Sequence, residues 1–310
     1  MTDTVILTEG LVKDYGATRA LAGLDLEVQQ GEVYGFLGPN GSGKSTTIRV
    51  LLDLLRPTAG RAEVLGVEPA VGGPALRARI GYLPGELAMT GAKTAGQLLH
   101  HLARLRGGAG ADRIGPLSER LRLALDRPIR SLSKGNKQKV GVVQAFMHSP
   151  ELVILDEPTS GLDPLLQHEV LDLVREASGH GATVFMSSHV LSEVEDVASR
   201  VGIIRAGRMV DTGDVQTLRR QAGQQVELRF AEPVDVAAFR NLPGVDDAAV
   251  DGTTLTCLLR GEPDPLLKAA ARHHVVAWAA HDRELEDLFL DFYRIPVEDQ
   301  RLEEVAVDGR

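Results

Sequence analysis

The sequence predicts an α/β protein, a mostly parallel sheet covered by helices, followed by a small α+β unit. Three observations carry this expectation. Short apolar runs that read as buried strands alternate with segments of helical spacing. A glycine-rich loop, "GPNGSGKST" at Gly38 to Thr46, stands between a predicted strand and a predicted helix. The pattern then restarts after the polar stretch "RRQAGQQ" at Arg219 to Gln225.

The elements follow in order. "LAGLDLEVQQ" alternates at Leu24, Leu26 and Val28, with Asp25 and Glu27 facing away, as in a half-buried strand. Gly31 punctuates it, and "EVYGFLG" reads as a second, mostly buried strand. From Lys44, "KSTTIRVLLDLL" has helical spacing at Ile48, Leu51, Leu52 and Leu55, and Pro57 and Gly60 are expected to stop the helix. "TAGQLLHHLARLR", from about Thr94 to Arg106, is an amphipathic helix, and "GGAGAD" after it is a loop. "ELVILDEP" is a short buried strand that ends at carboxylates. "HEVLDLVREASGHGATVFMSSH" reads as helix, turn and buried strand ending at His189. Beyond Gln225 come strand "VELRF", a helix near "VDVAAFRN", strands "VDDAAV" and "TLTCLL", helix "PDPLLKAAARH" and strand "VVAWAA". A last helix, "RELEDLFLDFYR", places Leu285, Leu288, Phe289 and Phe292 on one face. The acidic tail, 296–310, is expected to be poorly ordered.

Bulk properties narrow the classes. A chain of 310 residues is long enough for one large or two smaller domains with a sizeable core. The net charge of -9 argues against nucleic acid as the main partner. Cys257 is the one cysteine, which excludes an internal disulfide and fits a reducing compartment. The N-terminus lacks a secretory pattern, and no apolar run approaches the ~18 residues of a spanning helix, so the chain itself is expected to cross no membrane.

The glycine loop explains its own residue types. Gly38, Gly41 and Gly43 let the backbone bend so that N–H groups point at phosphate oxygens. The helix that follows adds favourable partial charge at its N-terminus. Lys44 is placed to reach the β- and γ-phosphates, and the Ser45 hydroxyl to ligate Mg²⁺. With Pro39, Asn40, Ser42 and Thr46 these form the expected phosphate-binding set. Asp156 and Glu157 arrive side by side at the end of "LVILDEP": Asp156 suits a Mg²⁺ role, Glu157 the orientation or deprotonation of a water. His189 ends the next predicted strand, and a parallel sheet brings such strand ends together.

The order "GPNGSGKST", "LSKGNKQ", "LVILDEP", "SGLD" and "SSH" resembles the nucleotide-binding subunit of an ATP-binding cassette (ABC) transporter, over roughly residues 4 to 220. The resemblance implies a P-loop NTPase ABC cassette: a RecA-like core with antiparallel β and helical subdomains. It implies an ATP-binding domain at 1–222, with the helical subdomain at about 86–148, and a small α+β accessory domain at 223–295. In such proteins two subunits pack head to tail around two ATP molecules, and ATP hydrolysis separates them. Ser133, Gly135 and Asn136 would bind the phosphate of the ATP held by the other subunit, and Asp163 in "SGLD" would link the two sites. Tyr15 resembles the aromatic that stacks on adenine, Glu157 the catalytic base and His189 the switch histidine. The partners implied are an integral membrane permease and a second ATP-binding subunit, a homodimer being the expected form. The chain would then lie in the cytoplasm on the inner face of the cell membrane.

Two departures stand out. The common signature is L-S-G-G-Q, whereas this chain reads "LSKGN"; Lys134 replaces a glycine and Asn136 a glutamine. Lys134, Lys137 and Lys139 are read as solvated, with the hypothesis that they add positive potential toward the partner's phosphate. After "RIGYLP" the family usually carries a glutamine that touches Mg²⁺; here Gly85 and Glu86 follow, so either Glu86 takes that role or the contact is absent. The segment 283–294 resembles the end of the accessory domain in drug- and antibiotic-exporter ATPases. A soluble ABC ATPase acting on ribosomes or DNA is the alternative. A GTP switch fits poorly, since "NKQK" fails the last position of N-K-x-D.

Overall fold

The computed structural model describes residues 4–282, apart from 88, 90 and 92. The helix expected at 283–294 and the tail at 296–310 lie outside the described residues. Two compact units divide the chain, Met1–Gly213 and Asp214–Arg310.

The first unit runs β1 (Thr4–Tyr15), β2 (Thr18–Gln29), β3 (Val33–Leu37), α1 (Lys44–Leu51), β4 (Ala59–Val64), α2 (Pro69–Ala78) and β5 (Ile80–Leu83). It continues with α3 (Ala95–Leu105), α4 (Ile114–Arg120), α5 (Lys134–Phe146), β6 (Leu152–Asp156), α6 (Pro164–Gly179), β7 (Thr183–Ser188), α7 (Leu191–Glu195), β8 (Arg200–Arg205) and β9 (Arg208–Asp214). A six-stranded sheet has the order β5-β6-β7-β3-β8-β9. Its pairs β5/β6, β6/β7, β7/β3 and β3/β8 are all parallel. Strands β3, β6 and β7 are buried at every position, which is why they read as continuous apolar runs rather than alternating ones. Phe36 and Phe185 meet across β3 and β7 with ring centroids 5.2 Å apart.

Beside this sheet stands a smaller antiparallel one, β2-β1-β4. Its apolar residues Ile6, Leu24, Leu26, Val28 and Val64 join Phe36, Ile48 and Ile154 in one buried cluster. The sequence pattern anticipated β2 but not β1 or β4. Helices α3 and α4 flank α5. The start of α3 follows from its cap: the Thr94 hydroxyl accepts from the Gln97 N–H at 3.2 Å, and the Gln97 side chain accepts from the Thr94 N–H at 3.0 Å.

One expected boundary is corrected. Helix α1 ends at Leu51, not near Leu55. Asp53 takes a left-handed conformation (φ 57°), and the N–H groups of Leu54 and Leu55 both turn back to the Arg49 carbonyl. The stop is therefore a left-handed turn at Asp53, upstream of Pro57.

The second unit contains α8 (Val215–Ala222), β10 (Gln224–Phe230), α9 (Ala237–Arg240), β11 (Val245–Asp251), β12 (Thr254–Leu259), α10 (Asp264–Ala270) and β13 (Val275–Asp282). Its four strands form an antiparallel sheet of order β11-β12-β10-β13. Val226, Leu228 and Phe230 of β10 pack with Phe239 and Leu266 in a separate core. Among the described residues no helix is long and apolar enough to cross a membrane.

Candidate functional site

Parallel pairing puts the C-terminal ends of β3, β6 and β7 side by side, and the site is built there. Gly38 to Gly43 follow β3 and lead into α1. Gly43 has φ 117° and a Cβ there would stand 2.9 Å from the Ala20 carbonyl oxygen, so conformation and space both require glycine. No side chain caps α1. Lys44 is 6% exposed, and its Nζ donates to the Gly38 carbonyl at 2.5 Å. The loop is thus folded around its own lysine. Ser42 is buried beneath the loop, where its hydroxyl has no partner among the described residues.

Asp156 and Glu157 close β6. The Ser187 hydroxyl on β7 donates to Asp156 Oδ1 at 2.6 Å. The same hydroxyl accepts from the Glu157 N–H at 3.3 Å, alongside the Ser187 carbonyl at 3.2 Å. Glu157 itself has φ 53°, a conformation that costs a non-glycine residue and persists only where its surroundings hold it. Its carboxylate is shared: Oε1 lies 3.5 Å from Lys44 Nζ and Oε2 accepts from His189 Nδ1 at 2.5 Å. So the lysine of the glycine loop, the second acid of β6 and the histidine after β7 form one connected set.

These residues line a cleft of about 620 Å³, with Pro39, Asn40, Gly41, Gly43, Ser45, Thr46, Glu86 and Asp156 also in its wall. Tyr82 and Arg49, not foreseen as site residues, line it too. Burial, with the Asp156 charge nearby, pushes the Tyr82 phenol up to about 12, so it stays neutral. A larger cleft of about 930 Å³ lies at the opposite, N-terminal ends of β6 and β7, beside Glu151 and Thr183. It contains none of the motif residues, so chemistry and not volume identifies the site.

The remaining candidates lie elsewhere. Tyr15 is 44% exposed, outside the cleft wall, with Lys13 Nζ 5.4 Å from its ring centroid. Ser133 caps α5, its hydroxyl accepting from the Asn136 N–H at 3.3 Å. Asp163 caps α6 in the same way, accepting from the Leu166 N–H at 3.1 Å. A Cβ at Gly135 would lie 2.8 Å from the Gly161 carbonyl oxygen, so the neighbouring loop keeps this position glycine. Lys134 is exposed and lines the cleft beside Glu157 and Ser160. The expectation of three solvated lysines is corrected for Lys139. It is buried on the inner face of α5, its Nζ 3.5 Å from the Arg122 carbonyl oxygen. Burial pushes its ammonium down, against the pull of Asp163.

At Gly85 an added Cβ would stand 3.3 Å from the Asp156 carboxylate. A side chain there would bear directly on that acid. Glu86 is exposed at the cleft rim.

Comparison with known proteins decides the family. The profile described as ABC transporter matches residues 21–160. The daunorubicin/doxorubicin resistance ATP-binding protein DrrA of Streptomyces peucetius is 34% identical over 98% of this chain and 97% of its own. The chain belongs to the ABC transporter family. The bacitracin transport ATP-binding protein BcrA of Bacillus licheniformis is 35% identical over 74% of this chain and 76% of its own. A solved structure described as the ATP binding subunit of an ABC transporter superposes with a TM-score of 0.66 at 33% identity, covering 70% of this chain and 93% of that one. As an ABC cassette, the chain binds and hydrolyses ATP.

Proposed function

We propose that this chain is the energising subunit of an exporter, binding ATP in the cleft between the glycine loop and the strand ends and driving a separate membrane permease. The observation that carries the proposal is the connected set Lys44, Glu157 and His189 beside Asp156. The relatives support export over an action on ribosomes or DNA, because those with stated roles include daunorubicin/doxorubicin resistance, bacitracin transport and Nod factor export proteins. The cargo class is a small molecule: a drug, an antibiotic or a lipid.

Each residue takes a role. The loop N–H groups from Gly38 to Thr46 and the Lys44 ammonium hold the phosphates. Glu157 orients and deprotonates the attacking water, and His189, bonded to its carboxylate, fixes the direction of that carboxylate. Tyr15 stacks on the base. A second copy, or a paralogue, brings Ser133, Gly135 and Asn136 to the phosphate of the facing site, with Asp163 between the two. In that arrangement ATP acts as the ligand that favours the closed pair, and its loss releases it.

The donor set fits Mg²⁺. Among the described residues no three His, Cys, Asp or Glu side chains gather into a ready metal site. Mg²⁺ instead takes one or two protein ligands and relies on substrate phosphates and water. Ser45 and Asp156, which share the cleft wall, would hold it, with Glu86 at the rim as a further ligand. When bound it would neutralise charge between the β- and γ-phosphates.

The accessory domain, 223–295, is proposed as a contact or regulatory surface of the subunit. The chain would sit in the cytoplasm, peripheral to the inner face of the membrane through its permease. The test uses Glu157→Gln, expected to bind ATP and pair while its turnover falls at least about a hundredfold. Captured with ATP from native cells in gentle detergent, it should bring down a multi-spanning membrane protein. Ribosomes or DNA-repair proteins without a membrane partner would overturn the transport reading, and normal turnover would overturn the role of Glu157.

A further inference from the structure

We propose that Gln138 is the positioning residue that holds Glu157 in its working orientation and ties it to the helix whose N-terminus carries Ser133. The inference rests on the reading of Glu157 as the base. Gln138 stands one turn into α5, and its side chain is 3% exposed. Its Nε2 donates to the Glu157 carbonyl at 3.3 Å and to the Pro158 carbonyl at 3.0 Å. Both donor hydrogens of one buried amide are thereby spent on the two residues that follow β6.

Those carbonyls need a partner for a specific reason. With φ 53°, Glu157 has left the strand conformation, so its carbonyl no longer points along the sheet ladder. Ser187 on β7 takes the Glu157 N–H. Gln138 takes the carbonyl on the other side. The strained residue is thus gripped at both peptide groups, once from the sheet and once from α5. The direction in which Glu157 Cβ leaves the backbone depends on this grip, and so does the reach of the carboxylate to Lys44 and His189.

The same helix presents Ser133 as its cap, five residues before Gln138. A phosphate of the facing subunit that engages Ser133 bears on α5 as a rigid body. Gln138 passes that displacement to the backbone of Glu157 in its own chain. Occupation of one site then adjusts the base of the other through two hydrogen bonds, without a contact between the two nucleotides.

Gln138→Met keeps the length and volume of the side chain and removes both donors. Using the full-length chain, ATP affinity, ATP-driven pairing and steady-state turnover are measured together. The expected result is ATP affinity within about twofold of wild type and kcat lowered about tenfold or more, as befits a displaced base. The ATP-bound pair should accumulate as it does for Glu157→Gln, which a merely damaged fold would not produce. Gln138→His, which carries a ring N–H at similar reach, should recover part of kcat. If Gln138→Met does not fold, Gln138→Asn carries the test, because its amide falls short of the carbonyls. A kcat within about twofold of wild type overturns the proposal. So does a joint loss of ATP affinity, pairing and turnover. Glu157→Gln, run alongside, separates the failures: if it turns over normally the reading of the base falls and the proposal with it, whereas a silent Glu157→Gln beside a fully active Gln138→Met sinks the role of Gln138 alone.

Discussion

Helices α1 and α5 both begin in a glycine- and serine-containing loop with lysines close by, yet their first turns are built in opposite ways. The first turn of α1 has no side-chain cap, and its N-cap Gly43 sits at φ 117°. The first turn of α5 is closed by its own Ser133, which accepts from Asn136. An uncapped helix start directs its N–H groups outward and makes a standing anion site. A capped one has already satisfied one of those groups, so a phosphate that recruits Ser133 trades one hydrogen bond for another. The first start is suited to holding a nucleotide in a single chain. The second is suited to a weaker, conditional contact that a facing subunit completes.

This contrast can be broken most forcefully at Lys44. Lys44→Ala should lower ATP affinity at least ~100-fold, since it removes a charge-assisted donor from a buried position. Calorimetric titration of the full chain checks it, and a loss of only a few-fold would mean that α1 is not the principal anchor. Next in size is Ser133→Ala. It should leave ATP binding by dilute single subunits within about twofold of wild type, while ATP-driven pairing weakens about tenfold. Loss of the cap should also lower stability by about 1 kcal/mol in chemical denaturation. Equal effects of Lys44→Ala and Ser133→Ala on single subunits would erase the distinction between the two helix starts.

The smallest effect concerns the far end of α5. Burial, aided by Arg106, pushes His148 down to about 4 from its ordinary 6.5. Its Nε2 donates to the Ile80 carbonyl at 3.2 Å, and Nδ1 is buried. The folded protein therefore keeps the ring neutral, while the unfolded chain takes up a proton below about 6.5. Stability from this group is complete above that pH and is lost as pH falls toward 4. The melting temperature of His148→Gln should fall less steeply than that of wild type between about pH 7 and pH 5. Parallel curves would show that the anchor of α5 does not titrate there.

The central strands were legible because each is buried on both faces and reads as an unbroken apolar run. Strand β1 escaped the pattern: Gly10 breaks its alternation, and its pairing shifts register near Leu11. The end of α1 lies upstream of the expected one because Pro57 is a louder signal in the sequence than an aspartate that turns left-handed. At the site, Lys44 could be named from the glycine loop, and Asp156, Glu157 and His189 from strand ends read together with that loop, since parallel pairing dictates where such ends meet. Gln138 and Ser187 could not. Gln138 binds only backbone carbonyls, and Ser187 binds the Glu157 N–H besides the Asp156 carboxylate; the orientation of those backbone groups depends on the φ of Glu157. A trace was present: Gln138 falls on the same helical face as Val142 and Ala145, where an amide needs a reason to be buried. Lys139 misled for the opposite reason, as a charge that looked solvated lies against a carbonyl inside the fold.

The 3.5 Å approach of Glu157 to Lys44 has a consequence for selectivity. A carboxylate tethered to the same chain competes for that ammonium at a high effective concentration, set by the fold rather than by the solution. A small free anion must outbid this internal rival with few other contacts to offer. A triphosphate can cede part of the lysine and still spread over the N–H groups of the whole loop. On the proposed reading of the site, anions would be sorted by length, and the side chain proposed to cleave ATP would also guard the site against whatever is too short to be ATP.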